Sequence, residues 1–446
     1  MARFEPQPTK RARERVFVVG VDGPNNTLWH VGESLAELKR LVQTADGEVV
    51  GTYVQKLNKP VPKTYIGSGK AAQIAEDAGA QDVDVVVFDD ELSPSQQANL
   101  ERIMGEGIKV IDRTALILDI FGRHATTHEG RIQVQLAQNQ YLLPRLRGMW
   151  SHLVREQTRG GIGSRFGQGE SQLEVDRRII RGRITTLRRE LAQLEERRGE
   201  QSKSRRASNA YRVALVGYTN AGKSTLLNAL TGAKAYVQDE LFATLDPTTR
   251  ALTLQDGRKA TITDTVGFIQ KLPTMLVESF KSTLAEARSA DLLLLIADAH
   301  DANLDEQVAT VRKVLDDIGA AGAPCVLVLN KCDLLEPDEL DRLRSLHLEA
   351  EFVSATTGSG LSSLGYRITR EASNSDSSIT ILVPFSKGSI VQYVHEQGHV
   401  IHEEYSEQGT IITLRADERM RQTLQDLRID APSPHQHGYA QQNGLM

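Results

Sequence analysis

The stretch Gly217-Tyr-Thr-Asn-Ala-Gly-Lys-Ser224 decides the fold of the central part of the chain. It follows the apolar segment Arg212-Val-Ala-Leu-Val216 and precedes Ser224-Thr-Leu-Leu-Asn-Ala-Leu230, which has the composition of a helix start. A strand, a glycine-containing loop and a helix in this order form a phosphate-binding loop, because backbone amides and the helix N-terminus attract phosphate oxygens. We expect Lys223 to reach the β and γ phosphates and the Ser224 hydroxyl to bind Mg²⁺.

A second motif, Asp264-Thr-Val-Gly267, follows the apolar strand Ala260-Thr-Ile-Thr263. Asp264 is expected to hold the Mg²⁺ shell through water, and the Gly267 amide to donate to the γ phosphate. The next residue is Phe268, at the position where a Ras-like enzyme carries the glutamine that orients the attacking water. The sequence therefore predicts a nucleotide site with slow intrinsic hydrolysis.

Two later motifs predict that the base is guanine. Asn330-Lys-Cys-Asp333 follows the buried strand Cys325-Val-Leu-Val-Leu329. The Asp333 carboxylate can accept hydrogen bonds from N1–H and from the exocyclic amine of guanine, whereas adenine would leave this acceptor unpaired. Ser354-Ala-Thr356 ends the next strand, and its amides are expected to reach the guanine O6.

The segment Leu241-Phe-Ala-Thr-Leu-Asp-Pro-Thr-Thr-Arg250 lies in the place of the first switch of such a site. One of its threonines must bring a hydroxyl to Mg²⁺ in the triphosphate state. Thr244, Thr248 and Thr249 are all candidates, and spacing does not choose among them.

The charge of the chain is unevenly distributed. The 446 residues carry a net charge of −5. Residues 145–206 contain 16 Lys+Arg and 8 Asp+Glu, a balance of +8 that leaves −13 for the rest of the chain. Two cysteines are too few for a disulfide framework and fit a reducing cytoplasm. We find no apolar run of the roughly 20 residues that a membrane span requires, and no anchoring motif.

The remaining sequence predicts further domains. Alternating strand and helix patterns over residues 16–112 indicate a parallel α/β domain. Apolar residues at coiled-coil spacing then predict a long helical hairpin: Ile180, Ile184, Leu187, Leu191 and Leu194. Its tip is a glycine-rich segment, residues 159–170, whose arginines suit a phosphate backbone. A serine-rich linker, SNSDSS at 373–378, precedes a small β-α-β-β-α unit.

Two other motifs have alternative interpretations. His395-Glu-Gln-Gly-His399 matches the pattern of zinc proteases, but we expect the helix to end near Gly398 and to separate the two histidines. Asp89-Asp90-Glu91 follows a strand and could bind metal, but we expect these acidic residues to cap the next helix.

Several longer segments resemble the HflX-type ribosome-associated GTPases of the Obg-HflX superfamily. They include PVPKTYIGSGK at 60–70, DRTALILDIF at 112–121, GESQLEVDRR at 169–178, LFATLDPTTR at 241–250 and DTVGFI at 264–269. The resemblance implies that the switch segment is Phe242 to Asp246, with Thr244 as the magnesium threonine. It also implies binding to the large ribosomal subunit and dissociation of stalled or idle ribosomes. The chain departs from the family at Gln168, where the family pattern has proline.

The expected architecture is a multidomain α/β protein. It consists of an N-terminal α/β domain, a helical hairpin linker, a Ras-like P-loop GTPase domain and a small α+β C-terminal domain. The expected ranges are a basic tail at 1–15, the α/β domain at 16–113, the hairpin at 114–207, the GTPase domain at 208–372, the C-terminal domain at 379–430 and a disordered tail at 431–446.

The expected site residues fall into four groups. Those expected to act in catalysis are Lys223, Thr244, Gly267 and Phe268, and those expected to hold magnesium are Ser224, Thr244 and Asp264. Those expected to contact GTP are Gly217, Tyr218, Thr219, Asn220, Ala221, Gly222, Lys223, Ser224, Thr225, Phe242, Ala243, Thr244, Leu245, Asp246, Asp264, Thr265, Val266, Gly267, Asn330, Lys331, Cys332, Asp333, Ser354, Ala355 and Thr356. Those expected to contact ribosomal RNA are Arg155, Arg159, Arg165, Lys203, Arg205 and Arg206.

We therefore expect a cytoplasmic, monomeric GTPase without a membrane anchor that binds the large ribosomal subunit and the whole ribosome through ribosomal RNA. Its cofactor is Mg²⁺, and K⁺ is a second candidate because Asn220 resembles the asparagine of potassium-activated GTPases. Two alternatives remain: a GTP-dependent ribosome-binding or subunit-assembly switch with little catalysis, and a GTPase of the tRNA-modification type.

Overall fold

The computed structural model describes residues 13–23, 30–157, 166–206, 210–232, 241–271, 273, 276, 286–320, 322–375, 377–416 and 418–429. Most of the predicted basic N-terminal tail, the hairpin residues 158–165 and the predicted C-terminal tail lie outside these residues. The chain divides into two compact units, residues 1–252 with 259–362, and residues 253–258 with 363–446. Among the described residues, no helix is long and apolar enough to cross a membrane.

The first unit begins with a parallel sheet of four strands in the order β2-β1-β3-β4. The strands are β1 (Arg15–Asp22), β2 (Glu48–Lys56), β3 (Val85–Phe88) and β4 (Lys109–Asp112), and the helices between them are α1 (Val31–Thr44), α2 (Ser68–Ala80) and α3 (Pro94–Met104). The central strands β1 and β3 consist mainly of buried apolar residues. Helices on the two faces of a parallel sheet bury its central strands in this way.

Three helices follow the first sheet: α4 (Arg113–His124), α5 (His128–Gln157) and α6 (Phe166–Arg206). Helices α5 and α6 pack along each other. Ile184 is buried on α6, and Ile180, Leu187, Leu191 and Leu194 are partly buried, whereas most residues between them are exposed. The apolar seam predicted from the sequence is therefore the packed face of α6.

A second sheet of six strands has the order β10-β9-β8-β5-β7-β6. Its strands are β5 (Tyr211–Gly217), β6 (Thr248–Thr253), β7 (Lys259–Asp264), β8 (Leu292–Asp298), β9 (Cys325–Asn330) and β10 (Glu351–Phe352), and its helices are α7 (Lys223–Thr231), α8 (Leu304–Asp317) and α9 (Pro337–Leu346). Strands β7, β5, β8, β9 and β10 are parallel. The motifs after β5, β7, β9 and β10 consequently meet at one edge of the sheet.

The two sheets of the first unit share one hydrophobic core. A single cluster of buried residues contains Val18 of β1, Leu38 of α1, Phe121 of α4, Leu293 of β8 and Phe268, which follows β7. The α/β domain and the P-loop domain are therefore packed against each other through apolar side chains.

The second unit is a small α+β fold with an antiparallel sheet in the order β12-β13-β11-β14. It contains α10 (Leu361–Ser375), β11 (Ser377–Val383), α11 (Gly388–Gln397), β12 (His399–Ser406), β13 (Gly409–Ala416), α12 (Glu418–Thr423) and β14 (Arg428–Ile429). Helix α11 ends before Gly398, and His399 begins β12, as we expected. His395 Nε2 lies 2.9 Å from Glu403 Oε2, and no metal-binding group of three His, Cys, Asp or Glu exists among the described side chains.

The serine-rich linker predicted at 373–378 is wrong. Helix α10 continues to Ser375, and β11 begins at Ser377. The helix continues because Leu364, Ile368 and Ala372 form a fully buried stripe at a spacing of four residues. The guanidinium of Arg258 adds a hydrogen bond of 2.7 Å to the Ser373 hydroxyl, so this stretch is packed in the second unit.

Candidate active site

The phosphate-binding loop between β5 and α7 has the predicted form. Gly222 has a φ of +89°, and a Cβ atom there would lie 2.3 Å from Asn330 Nδ2. A side chain at this position would therefore be strained and would also clash. The loop borders a cavity together with the two switch segments, and the residues that line it are Thr219, Asn220, Gly222, Lys223, Ser224, Thr225, Phe242, Ala243, Thr244 and Gly267.

Lys223 lies at the base of this cavity, with its side chain buried. Its ammonium group donates to the Tyr218 carbonyl at 2.8 Å and to the Gly217 carbonyl at 3.2 Å. Burial lowers the pKa of Lys223 to about 8, although the nearby Asp264 carboxylate opposes this shift. The amine is therefore held at the loop, where an anionic phosphate would favour its charged form.

Three oxygen-bearing side chains meet beside Lys223. The Ser224 hydroxyl lies 2.8 Å from the Thr244 hydroxyl and 2.6 Å from Asp264 Oδ2. Asp264 Oδ1 is buried and has no hydrogen-bond partner among the described residues, and burial raises the pKa of this carboxyl despite Lys223. Hydroxyl and carboxylate oxygens are hard ligands of the kind that Mg²⁺ prefers, so these residues fit that ion.

The structure distinguishes the three candidate threonines of the first switch segment (residues 241–250). Only Thr244 brings its hydroxyl to Ser224 among the contacts of the described residues. Thr249 instead bonds to Thr263 at 2.9 Å, and Thr248 begins β6. The conformation around Thr244 is set by Phe242, which has a φ of +61°. Its ring packs edge-on against the ring of Phe121, with 4.5 Å between the ring centroids.

Two members of the predicted switch segment are not part of the cavity lining. The Leu245 side chain is buried in the shared core. The Asp246 carboxylate accepts hydrogen bonds from the backbone and side chains of Thr126 and Thr127, just before α5. Leu245 therefore fixes the first switch segment in the shared core, and Asp246 bonds it to the residues before α5. Ala243 and Thr244 line the cavity.

The second switch segment (residues 264–271) begins against the phosphate loop. The Phe268 amide donates to the Gly217 carbonyl at 3.0 Å, and the Thr219 amide donates to the Phe268 carbonyl at 2.8 Å. The Phe268 side chain points into the shared core and is 1% exposed. At Gly267, a Cβ atom would lie 2.9 Å from the Thr219 backbone Cα and 3.0 Å from Lys223 Nζ, so a side chain there would crowd the phosphate loop.

The other residues of the Asp264 motif support its backbone. The Thr265 hydroxyl donates to the Leu215 carbonyl at 2.7 Å, and the Val266 side chain is buried. Neither side chain lines the cavity, so any nucleotide contact from these two residues is a backbone contact.

Asn330 connects the phosphate-binding loop with the Ser354–Thr356 loop, which is predicted to reach the base. Its Nδ2 donates to the Ala221 carbonyl at 2.9 Å, and its Oδ1 accepts from the Ala355 amide at 3.0 Å. The buried amide group thus fixes the phosphate loop against the Ser354–Thr356 loop. In this arrangement Asn330 acts as a support, since both ends of its side chain are already bonded to protein.

The remaining base-site residues lie at the ends of β9 and β10. Lys331 has a φ of +64°, and its ammonium pairs with Asp298 at 2.7 Å. Cys332 bonds through sulfur to the Leu329 carbonyl at 3.2 Å, whereas Asp333 and Thr356 are exposed. Ser354 is buried, and its hydroxyl accepts from the Thr357 amide at 3.1 Å. The exposed Asp333 carboxylate is available to a ligand in the way that recognition of guanine requires.

A group of polar residues beside the phosphate loop was missed by the sequence reasoning. Tyr218 donates its hydroxyl to the Glu37 carboxylate and accepts from the Gln270 amide at 2.7 Å. Arg113 bonds to Glu37 and, at 2.7 Å, to Asp89. The only signal available was the DRTALILDIF segment, which contains Arg113 but does not identify its partners.

The cap predicted for Asp89, Asp90 and Glu91 is wrong. Ser93 is the N-cap of α3, and its hydroxyl accepts from the Gln96 amide at 3.2 Å. The Asp89 carboxylate is used elsewhere, because it is buried and bonds to Ser34 at 2.6 Å as well as to Arg113.

Four of the six predicted RNA-contacting residues lie in the described hairpin helices. Arg155 lies in α5, and Lys203, Arg205 and Arg206 lie in α6. Arg159 and Arg165 lie outside the described residues.

Comparison with known proteins agrees with this geometry. Three family models match consecutive parts of the chain: "GTP-binding GTPase N-terminal" over residues 32–122, "GTP-binding GTPase Middle Region" over 124–205 and "50S ribosome-binding GTPase" over 212–331.

Curated relatives match most of the chain. "GTPase HflX" of Caldanaerobacter subterraneus is 45% identical and covers 92% of this chain and 94% of its own length. "GTPase HflX" of Escherichia coli is 42% identical, with coverages of 85% and 88%. "GTPase HflX" of Flavobacterium psychrophilum is 47% identical, with coverages of 72% and 76%. Identity of this size over nearly the whole length, with a complete P-loop site, means that the chain belongs to the HflX family of GTP-hydrolysing enzymes.

Proposed function

We propose that this GTPase binds the large ribosomal subunit and dissociates or recycles stalled or idle ribosomes, and that the ribosome stimulates its GTP hydrolysis. The observation that carries the proposal is the position of Phe268. Its side chain is 1% exposed in the shared core, so it brings no polar group to an attacking water. Because that water must be oriented for hydrolysis, a partner is the natural source of the missing group.

The charge of the hairpin favours RNA as the partner. Residues 145–206 carry a balance of +8 in a chain of net charge −5. A basic element on an acidic protein suits insertion into ribosomal RNA, because phosphate contacts release counterions. The model matching residues 212–331 is described as a ribosome-binding GTPase, which supports the same partner.

We assign the following roles within the site. Lys223 donates to the β and γ phosphates, and the Gly267 amide donates to the γ phosphate. Ser224, Thr244 and Asp264, whose oxygens lie together beside Lys223, would hold Mg²⁺. When bound, Mg²⁺ neutralises charge on the phosphates. Asp333 accepts from the guanine ring, and Asn330 keeps the phosphate loop and the Ser354–Thr356 loop together through its bonds to Ala221 and Ala355.

The main alternative is a binding switch with little catalysis. Steady-state GTP turnover, measured with and without purified large subunits and whole ribosomes, separates the two. We expect low turnover for the protein alone and stimulation by ribosomal particles, since groups supplied by a partner are worth about 10³ to 10⁵ in other GTPases. Equal rates with and without ribosomal particles would contradict stimulation.

Ribosome binding itself is tested by sedimentation with subunits and whole ribosomes in GDP and in a non-hydrolysable GTP analogue. The test variant reverses the charges of Arg155, Arg159 and Arg165 to Glu. Its matched control reverses three exposed charges outside the hairpin: Lys259, Lys313 and Arg342.

We expect the unchanged protein to bind in the triphosphate form. For the hairpin variant, the slope of the logarithm of the binding constant against the logarithm of the salt concentration should become shallower by about one unit for each lost phosphate contact. The control should bind as the unchanged protein does. Equal binding by both charge variants would remove the hairpin from the interface.

A further inference from the structure

Asp246 of the first switch segment bonds to the two threonines that precede the long hairpin helix α5. Asp246 accepts from the Thr126 amide at 3.1 Å and from the Thr127 amide at 2.8 Å, and also from both threonine hydroxyls. The Thr127 hydroxyl accepts from the Gly130 amide at 3.0 Å. A carboxylate at this end of a helix satisfies free amide donors and interacts favourably with the helix dipole.

The fit at this contact is close. A Cβ atom on Gly130 would lie 2.3 Å from Asp246 Oδ1, so glycine at that position makes room for the carboxylate. Asp246 is therefore held by hydrogen bonds from the two threonines before α5 and packs closely against Gly130 in the first turn of the helix. A movement of the helix start would either break these hydrogen bonds or carry Asp246 with it.

Asp246 lies only two residues after Thr244, which lines the nucleotide cavity. Leu245, between them, is 1% exposed in the shared core. On the other side of Thr244, Phe242 packs against Phe121 of α4. The Thr244 hydroxyl is 2.8 Å from Ser224 while both of its flanks are attached to the helices that lead into the hairpin.

We infer that Asp246 is a positioning residue that acts through Thr244 and couples the nucleotide state to the start of the hairpin. When Thr244 engages the triphosphate site, the backbone places Asp246 at Thr126 and Thr127. Conversely, a partner that displaces the start of α5 withdraws Thr244, because coupling between two sites is reciprocal. This inference concerns the GTPase reaction itself and does not depend on which partner binds the hairpin.

The test measures the affinity of the full-length protein for fluorescent GDP and for a fluorescent non-hydrolysable GTP analogue at saturating Mg²⁺. For Asp246→Ala and for Thr127→Val we expect the preference for the triphosphate to fall by about 5-fold or more. Thr127→Ser should restore it, because serine keeps the hydroxyl. Asp246→Asn, which keeps one acceptor oxygen, replaces the alanine variant if that variant does not fold.

The matched control is Ser93→Ala, which removes the N-cap hydroxyl of α3, a group that bonds to Ser95 and Gln96 and to neither Asp246 nor the two threonines before α5. A merely structural role predicts that Ser93→Ala and Asp246→Ala have the same effect on nucleotide preference. That result, or an unchanged preference in Asp246→Ala or Thr127→Val, would overturn the inference.

Amide hydrogen exchange at residues 130–133 provides a second readout. In the unchanged protein these amides should exchange more slowly with the triphosphate analogue and Mg²⁺ than with GDP. Thr244→Ala should abolish that difference although it does not touch α5. If the difference persists in Thr244→Ala, Thr244 and the helix start are not coupled.

Discussion

Lys271, three residues after Phe268, lies 2.6 Å from the Asp89 carboxylate and 2.5 Å from Asp90. The two aspartates follow β3 of the first sheet, whereas Lys271 belongs to the second switch segment. Lys271 has a φ of +53°, a backbone conformation that lysine seldom adopts without support from its surroundings. These ion pairs attach the second switch to the N-terminal sheet.

Replacing Lys271 by Ala should loosen this attachment. Asp89 is buried and retains Arg113, and Lys271 is 30% exposed, so we expect a moderate destabilisation of about 1–2 kcal/mol. Denaturant unfolding measures this loss, and hydrogen exchange at residues 266–271 measures the freed switch. Lys313→Ala, an exposed lysine of α8, is the control. Equal stability of the two variants would show that the ion pairs contribute nothing.

Thr244→Ala should weaken Mg²⁺-dependent binding of the triphosphate by about 10-fold, the effect of losing one strong polar contact. Binding of GDP should change little, because the first switch threonine is needed in the triphosphate state. Titration of a fluorescent GTP analogue with Mg²⁺ measures the effect. Thr249→Ala is the matched control, since Thr249 bonds to Thr263 and is not part of the cavity lining. A similar loss in both threonine variants would argue against a specific role of Thr244.

Phe268→Gln should not create a faster enzyme. The side chain at this position points into the shared core, so a glutamine would bury an amide without reaching the cavity. We expect a loss of stability of about 3–5 kcal/mol for Phe268→Ala, and a loss of at least similar size for the glutamine variant. Intrinsic GTP turnover and thermal unfolding are the measurements. Faster intrinsic turnover in Phe268→Gln would mean that the side chain leaves the core during the reaction.

Asp333→Asn should exchange guanine preference for xanthine preference. The carboxylate accepts two hydrogen bonds from guanine, and bonds to a charged group are worth about 1.5–3 kcal/mol each, so GTP affinity should fall by about 100-fold or more. Xanthine carries a carbonyl where guanine has its amine, and an asparagine amide can donate to it. Competition by GTP, XTP and ATP checks the change. Asp338→Asn, at an exposed position of α9, should leave the specificity for GTP unaltered.

Potassium should accelerate GTP turnover relative to sodium at equal ionic strength. Asn220 lies in the phosphate loop, exposed to the cavity with a φ of +61°. Asn220→Gly tests its side chain without straining the backbone, because glycine adopts positive φ freely. We expect this variant to lose the difference between KCl and NaCl. If the unchanged protein shows no such difference, Asn220 has no part in potassium binding.

The elements of the nucleotide site were predictable because their signals are local. The phosphate loop, the Asp264 motif and the Asn330 motif each follow an apolar strand, and parallel strands bring their ends to one edge. Thr244 could not be separated from Thr248 and Thr249 by spacing. The packing of Phe242 against Phe121 places the Thr244 hydroxyl beside that of Ser224. A contact between residues so far apart in the chain leaves no periodic pattern in the sequence.

The contacts between the switches and the N-terminal region were not predictable for the same reason. Lys271 and Asp89 are separated by 182 positions, and Asp246 and Thr127 by 119. No helical or strand periodicity links residues so far apart. The predicted serine linker failed differently, because composition suggested a flexible segment while the buried stripe of Leu364, Ile368 and Ala372 continues the helix.

The shared core links the thermal unfolding of the α/β domain to that of the P-loop domain, and it limits where the chain can be truncated. Phe121 and Leu38 on one side, and Phe268 and Leu293 on the other, belong to the same apolar cluster. The α/β domain and the P-loop domain should consequently unfold in one cooperative transition. A fragment that begins at residue 208 would retain every nucleotide motif. It would nevertheless expose the apolar surface that the first sheet and its helices cover, and this surface would favour aggregation. The smallest fragment that keeps GTPase activity without aggregating should therefore include the first sheet.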